Sequence, residues 1–206
     1  MSDAPSAQVQ QCLDRLRAGD AAARRDLLNS VCDRLTQLTR AMLRDYPRVK
    51  RWEQTDDVLQ NALLRLYRAL QDVTPPTVRD FYRLATLQIR RELIDLARHH
   101  YGPEGAGRKH ATNAGVAESG ESFHPAYEGV DRAHGPPGLA VWAEFHRQAQ
   151  ELPEDEREVF DLIWYQGLAH TEAAALLDVS ARTVRRRWQA ACLRLHERLG
   201  GELPGP

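Results

Sequence analysis

Apolar residues recur three and four positions apart along most of this chain. That is the spacing of helices with one buried face, and no stretch shows the alternation of a strand. The pattern predicts helices over 8–17, 21–45, 55–71 and 78–100, and again over 139–151, 154–166, 170–177 and 181–199. Punctuation supports the boundaries. Gly19 ends the first helix, Pro47 closes the second, and Pro75-Pro76 follow the third. Thr77, with Asp80 three residues on, opens the fourth as an N-cap. Pro153 separates the fifth helix from the sixth, which starts at Glu154, a weak cap, and Gly167 stops it.

Residues 101–138 break the pattern. They hold eight Gly and four Pro with little apolar periodicity, too little to bury a core of their own. The expected architecture is therefore all-α: a helical unit over 8–100, a flexible linker over 101–138, and a second helical unit over 139–200.

Composition narrows the class. The chain is 42% hydrophobic and 28% charged, and no run approaches the roughly 18 apolar residues of a membrane span. The start, Met1 to Gln11, is polar and unlike a secretory leader. The cytoplasm is the expected location. Cys12, Cys32 and Cys192 are odd in number and lack C-x-x-C spacing, which predicts reduced thiols and neither disulfides nor zinc. The net charge of −1 hides a polar arrangement of charge: 182–198 carries six arginines against Glu197, and 151–161 carries six acids against Arg157. A basic helix is thus expected beside an acidic one.

The segment from Gly167 to Val184 has the logic of a helix-turn-helix. A short Ala-rich helix is followed by Asp178-Val179-Ser180, a tight turn whose Ser caps the next helix. At about 100° per residue, Val184, Trp188, Ala191, Cys192, Leu195 and Leu199 share an inner face. Arg182, Arg186 and Gln189 share the opposite face, with Thr183, Arg185 and Arg187 beside them. Arginine bonds guanine bidentately and glutamine bonds adenine, so this outward face has base-reading chemistry. The flanking arginines suit phosphates.

The stretch 55–67 carries a second constellation. Leu59, Ala62, Leu63, Leu66 and Leu70 form its core face; Asp57, Gln60, Asn61, Leu64 and Arg68 form the outer one. Leu64, apolar within a polar face, reads as a docking residue. The following helix is apolar on two sides, with Tyr82, Ala85, Ile89, Leu93 and Leu96 on one and Leu84, Leu87 and Ile94 on another. It belongs in the middle of a bundle. Its second half carries Arg90, Arg91 and Arg98 with His99, which are expected to face phosphates.

These stretches resemble sigma factors of the extracytoplasmic-function type. Asp56-Asp57-Val58-Leu59-Gln60 with Leu63-Leu64-Arg65-Leu66-Tyr67 is similar to the polymerase-docking helix of that family. Phe81 to Arg98 is similar to its −10-reading helices, and Leu152 to Leu199 to its −35-reading domain. The resemblance implies that Asp56, Asp57, Gln60, Asn61 and Leu64 dock on core RNA polymerase. It implies that Arg90, Arg91, Asp95, Arg98 and His99 contact the −10 element, and Arg182, Thr183, Arg185, Arg186, Arg187 and Gln189 the −35 element. It places the linker in a polymerase channel and a base-capturing pocket at Gln71–Asp80, with a ring from Phe81 or Tyr82. Promoter DNA and core polymerase are the implied partners, with room for an anti-sigma factor; no cofactor, metal, membrane or small-molecule substrate is implied. Two positions depart from the family: Asn61, where Glu is frequent, and Asp178, where Gly is usual.

Catalysis is disfavoured. Asp56 and Asp57 are neighbours pointing about 100° apart on a helix, and the eight His show no H-E-x-x-H spacing. A helix-turn-helix repressor or response-regulator output protein is the rival reading.

Overall fold

The computed structural model describes residues 4–43, 55–101 and 137–201. These form eight α-helices and one π-helical turn: α1 (Ala4–Arg17), α2 (Ala22–Leu43), α3 (Thr55–Asp72), α4 (Val78–Tyr101), α5 (Pro137–Gln150), α6 (Glu154–Phe160) running into the π turn (Asp161–Tyr165), α7 (His170–Leu177) and α8 (Ala181–Arg198). No strand occurs among the described residues. The linker reading falls mostly outside them.

Each helix buries the face its spacing marks. Val9, Leu13 and Leu16 of α1 meet Ala23, Leu27 and Val31 of α2, which continues inward through Leu35 and Leu38. On α3 the buried residues are Ala62, Leu66 and Leu70, as expected. On α4, Phe81, Tyr82, Ala85, Ile89 and Leu93 are buried, and this helix touches α1, α2, α3, α5, the π turn and α7. A helix apolar on two sides thus occupies the centre of the bundle.

The stretches 8–100 and 139–200 do not sit apart. One core joins Leu35, Leu38, Ala62, Ile89 and Leu93 to Trp142, Phe145, Tyr165 and Leu195. The other joins Val9, Leu27, Leu66 and Phe81 to Val159, Leu168, Ala173 and Val184. Helix α5 lies along α4, and both cores cross from the N-terminal helices to the C-terminal ones.

Two local findings differ from expectation. The sixth helix does not run as one α-helix to 166: its last turn widens into the π turn, which directs Leu162, Trp164 and Tyr165 inward. At its start Pro153 occupies the cap position without a side-chain bond, and Glu154, Asp155 and Glu156 fill the first turn, where the helix dipole favours them. Gly167 ends this element at φ 73°, and a Cβ there would come within 3.2 Å of the Arg34 side chain.

Candidate nucleic-acid interface

The helix-turn-helix is built as its sequence specifies. Ala173, Ala174 and Leu177 of α7 are buried with Val184 of α8. Asp178 turns the chain in the left-handed region at φ 52°, ψ 45°, a conformation Asp tolerates better than most residues. The Ser180 hydroxyl accepts from the Thr183 amide at 3.1 Å and caps α8. Glu172 accepts the Ala169 amide at 2.7 Å and closes the start of α7.

Helix α8 is held from beneath. Trp188 stacks on Phe160 at 5.4 Å between ring centroids. Arg194 pairs with Glu156 at 2.8 Å and Arg187 pairs with Asp155, so the basic helix does lie beside the acidic one. Inward sit Val184, Ala191 and Leu195, fully buried. Outward, Arg182, Arg185, Arg186 and Gln189 are exposed. Arg187 is mostly covered by its pairing, with 22% of its side chain exposed, so it reaches a phosphate only by leaving Asp155. Thr183 is half-buried and its hydroxyl is shared with Ser180 at 2.9 Å.

On α3, Gln60, Asn61 and Arg68 are exposed around Leu64, itself 42% exposed. The structure adds Tyr67, one helical turn on and also exposed. The expected patch is therefore a Leu–Tyr pair in a polar rim. Asp56 and Asp57 lie in the first turn of α3, and Arg98 and His99 in the last turns of α4; their side chains are outside the described part.

The expected −10 face differs most. Arg91 is exposed. Asp95 is held by Arg65 of α3 at 2.7 Å, beside the Arg65–Glu92 pair at 2.8 Å. Arg90 is not on a surface at all: it is 4% exposed. Its guanidinium pairs with Asp161, donates to the Tyr165 hydroxyl at 3.2 Å and lies over the Tyr165 ring at 4.8 Å. The Tyr165 hydroxyl also meets His146 Nδ1 at 2.8 Å. A buried guanidinium needs such partners, and the C-terminal helices supply them. Phe81 and Tyr82 are buried too, so neither offers a ring to a captured base here.

Burial shifts the groups around Arg90. Desolvation pushes Asp161 up to about 6, against the pull of the Arg90 charge. It pushes the Tyr165 hydroxyl up to about 12 and His146 down to about 3, the latter helped by Arg90. At neutral pH the cluster is a carboxylate, a guanidinium, a phenol and a neutral imidazole.

Among the described residues no group of His, Cys, Asp and Glu could hold a metal ion, and no helix is long and apolar enough to cross a membrane. The three cysteines are free.

A helix-turn-helix whose second helix turns arginines and a glutamine outward defines a DNA-binding protein of the all-helical class. Residues 6–200 match the family described as ECF sigma factor, and the chain belongs to that family. It is similar to the RNA polymerase sigma-H factor of Pseudomonas aeruginosa, with 26% identity over 183 residues, 87% of this chain and 88% of that one. It also aligns with the sigma factor RpoE in its co-crystal structure with the anti-sigma factor NepR from Bartonella quintana. There the identity is 21% and the TM-score 0.36, covering 89% of this chain and all of that one.

Proposed function

We propose that this chain binds core RNA polymerase and directs it to promoters, acting by binding rather than by catalysis, in the cytoplasm. The free arginine face of α8, on a chain that belongs to the sigma family over nearly its whole length, carries this reading. Residues 8–100 would form the polymerase-docking and −10-reading unit, and 139–200 the −35-reading unit. Leu64, with Gln60 and Asn61 around it and Tyr67 beside it, is the docking patch. Asp56 and Asp57 extend the patch along the same helix.

On α8, Arg182, Arg186 and Gln189 read bases, while Arg185, Arg187 and Thr183 position the helix on phosphates. Arg91, Arg98 and His99 would serve the −10 element, joined by Arg90 and Asp95 once their present partners are released. An anti-sigma factor is a partner of the same surfaces.

Run-off transcription with core polymerase tests the reading. The chain should confer promoter-specific initiation. Leu64→Asp should abolish it while the helical circular dichroism stays unchanged. Arg186→Ala should weaken −35 discrimination by ~1–3 kcal/mol. Binding to duplex DNA as a dimer without any need for polymerase would favour a repressor and defeat the proposal.

A further inference from the structure

This inference rests on the proposed function and extends it to regulation. We propose that the free chain is held closed by its own C-terminal helices, and that Arg90, Asp161 and Tyr165 form the latch.

Helix α4 carries the residues proposed for the −10 element, yet α5 and the π turn lie against it. Ile89 and Leu93 share a core with Trp142 and Phe145. Arg90 cannot serve a phosphate and Asp161 at once. Its present site is a complete one, with a carboxylate, a hydroxyl and a ring face all supplied by 161–165. A guanidinium this well satisfied opposes DNA rather than awaiting it.

Elements at −10 and −35 lie about 25 base pairs apart, roughly 85 Å of duplex at ~3.4 Å per pair. A single body of this length has a radius of gyration of about 17 Å, so it is roughly 45 Å across. The closed chain therefore cannot engage both elements. The C-terminal unit must leave α4 before both are read, and the chain between Tyr101 and Pro137 is long enough, at ~3.5 Å per residue, to permit it.

Around the buried cluster the same interface carries charge pairs. Arg79 of α4 grips Glu158 of α6 with both nitrogens, the second at 2.5 Å, and Arg83 approaches Glu154 at 3.8 Å. Gln166 donates to Thr86 at 2.7 Å, and Arg34 of α2 donates to the Trp164 carbonyl. Polar complementarity along a whole seam fixes one register, which a chance apposition of two apolar faces would not need. Polymerase and promoter then act as ligands of the open state, and their apparent affinity is reduced by the fraction of chain that is closed.

The test uses charge reversal in the full chain. Arg79→Glu and Glu158→Arg each place like charges across the seam; the double variant restores opposite ones. Small-angle scattering of the free parent chain should give the radius of gyration of one closed body. Each single variant should bind core polymerase roughly three- to tenfold tighter, and the double variant should return the affinity to that of the parent. Tyr165→Phe, which keeps the ring and loses only the hydroxyl, should move the affinity in the same direction as the single variants. Misfolding cannot imitate this, because a misfolded chain binds more weakly. An extended parent chain in scattering, or single variants that bind no tighter, overturns the latch. Failure of the parent to bind core polymerase at all would instead overturn the proposed function, and the scattering, which needs no polymerase, would still decide whether the chain is closed.

Discussion

His146 and Asp161 lie on either side of one hydroxyl network and are pushed in opposite senses by the same burial. Arg90 donates to the Tyr165 oxygen, His146 Nδ1 shares that hydroxyl at 2.8 Å, and Nε2 of the imidazole is buried without a hydrogen-bond partner. His146 falls to about 3 in the folded chain from an ordinary 6.5, so between those values the unfolded chain holds one more proton, and stability falls as pH falls. Asp161 rises to about 6 from 3.8, so between those values the folded chain holds one more proton, and stability rises as pH falls. Each slope is about 1.4 kcal/mol per pH unit, and over roughly pH 4–6 they cancel. Asp161→Asn should therefore lose stability on acidification through that window faster than the parent, and His146→Phe should lose it more slowly. Urea midpoints measured from pH 7 to 4 give the slopes, and since other carboxylates act alike in all three chains, parallel curves would refute the assignment. None of this was visible in the sequence, where 71 residues separate Arg90 from Asp161 and nothing local marks Arg90 as different from the exposed Arg91 next to it.

Helices themselves were legible because their determinants are local. Thr77 does cap α4, its hydroxyl accepting the Asp80 amide at 3.1 Å, and Ser180 does cap α8. The wheel that placed Val184 inward and Arg186 outward holds, as does the one that left Leu64 exposed. The π turn was not legible: Asp161 to Tyr165 reads as ordinary amphipathic helix, and the widening is set by packing against α2 and α4, which spacing along the chain does not encode. The cap of α8 has a consequence at this scale. Its first two turns hold Arg182, Arg185 and Arg186, and Ser180 fixes the start of the helix through a single side-chain bond to the Thr183 amide. Ser180→Ala should lower stability by ~1 kcal/mol and weaken binding to a −35 duplex more than the loss of any one flanking arginine does, because fraying misplaces three at once. Thermal melts and duplex titrations check both halves; an unchanged duplex affinity would show that the first turn is held by Trp188 and Asp155 instead.

At the scale of the whole molecule, the sequence is divided and the fold is not. The Gly-rich stretch divides the sequence into two runs of helical pattern, but a pattern shows that a face is apolar and not which partner covers it. Trp142, Phe145 and Tyr165 could have closed on their own unit; they close on Ile89 and Leu93 as well. An interface with aromatic anchors and a paired polar rim should hold without the covalent tether. Cutting the folded chain at a protease site inserted between 102 and 136 should therefore leave two fragments that co-elute at about micromolar concentration. If they associate with a Kd of ~1 µM, an effective concentration of about a millimolar in the intact chain gives closed over open by roughly 1,000 to 1. That ratio corresponds to about 4 kcal/mol, which polymerase and promoter must supply from their preference for the open form. Fragments that stay apart even at several millimolar would put the Kd above the effective concentration, and Arg90 would then be free for DNA in most molecules.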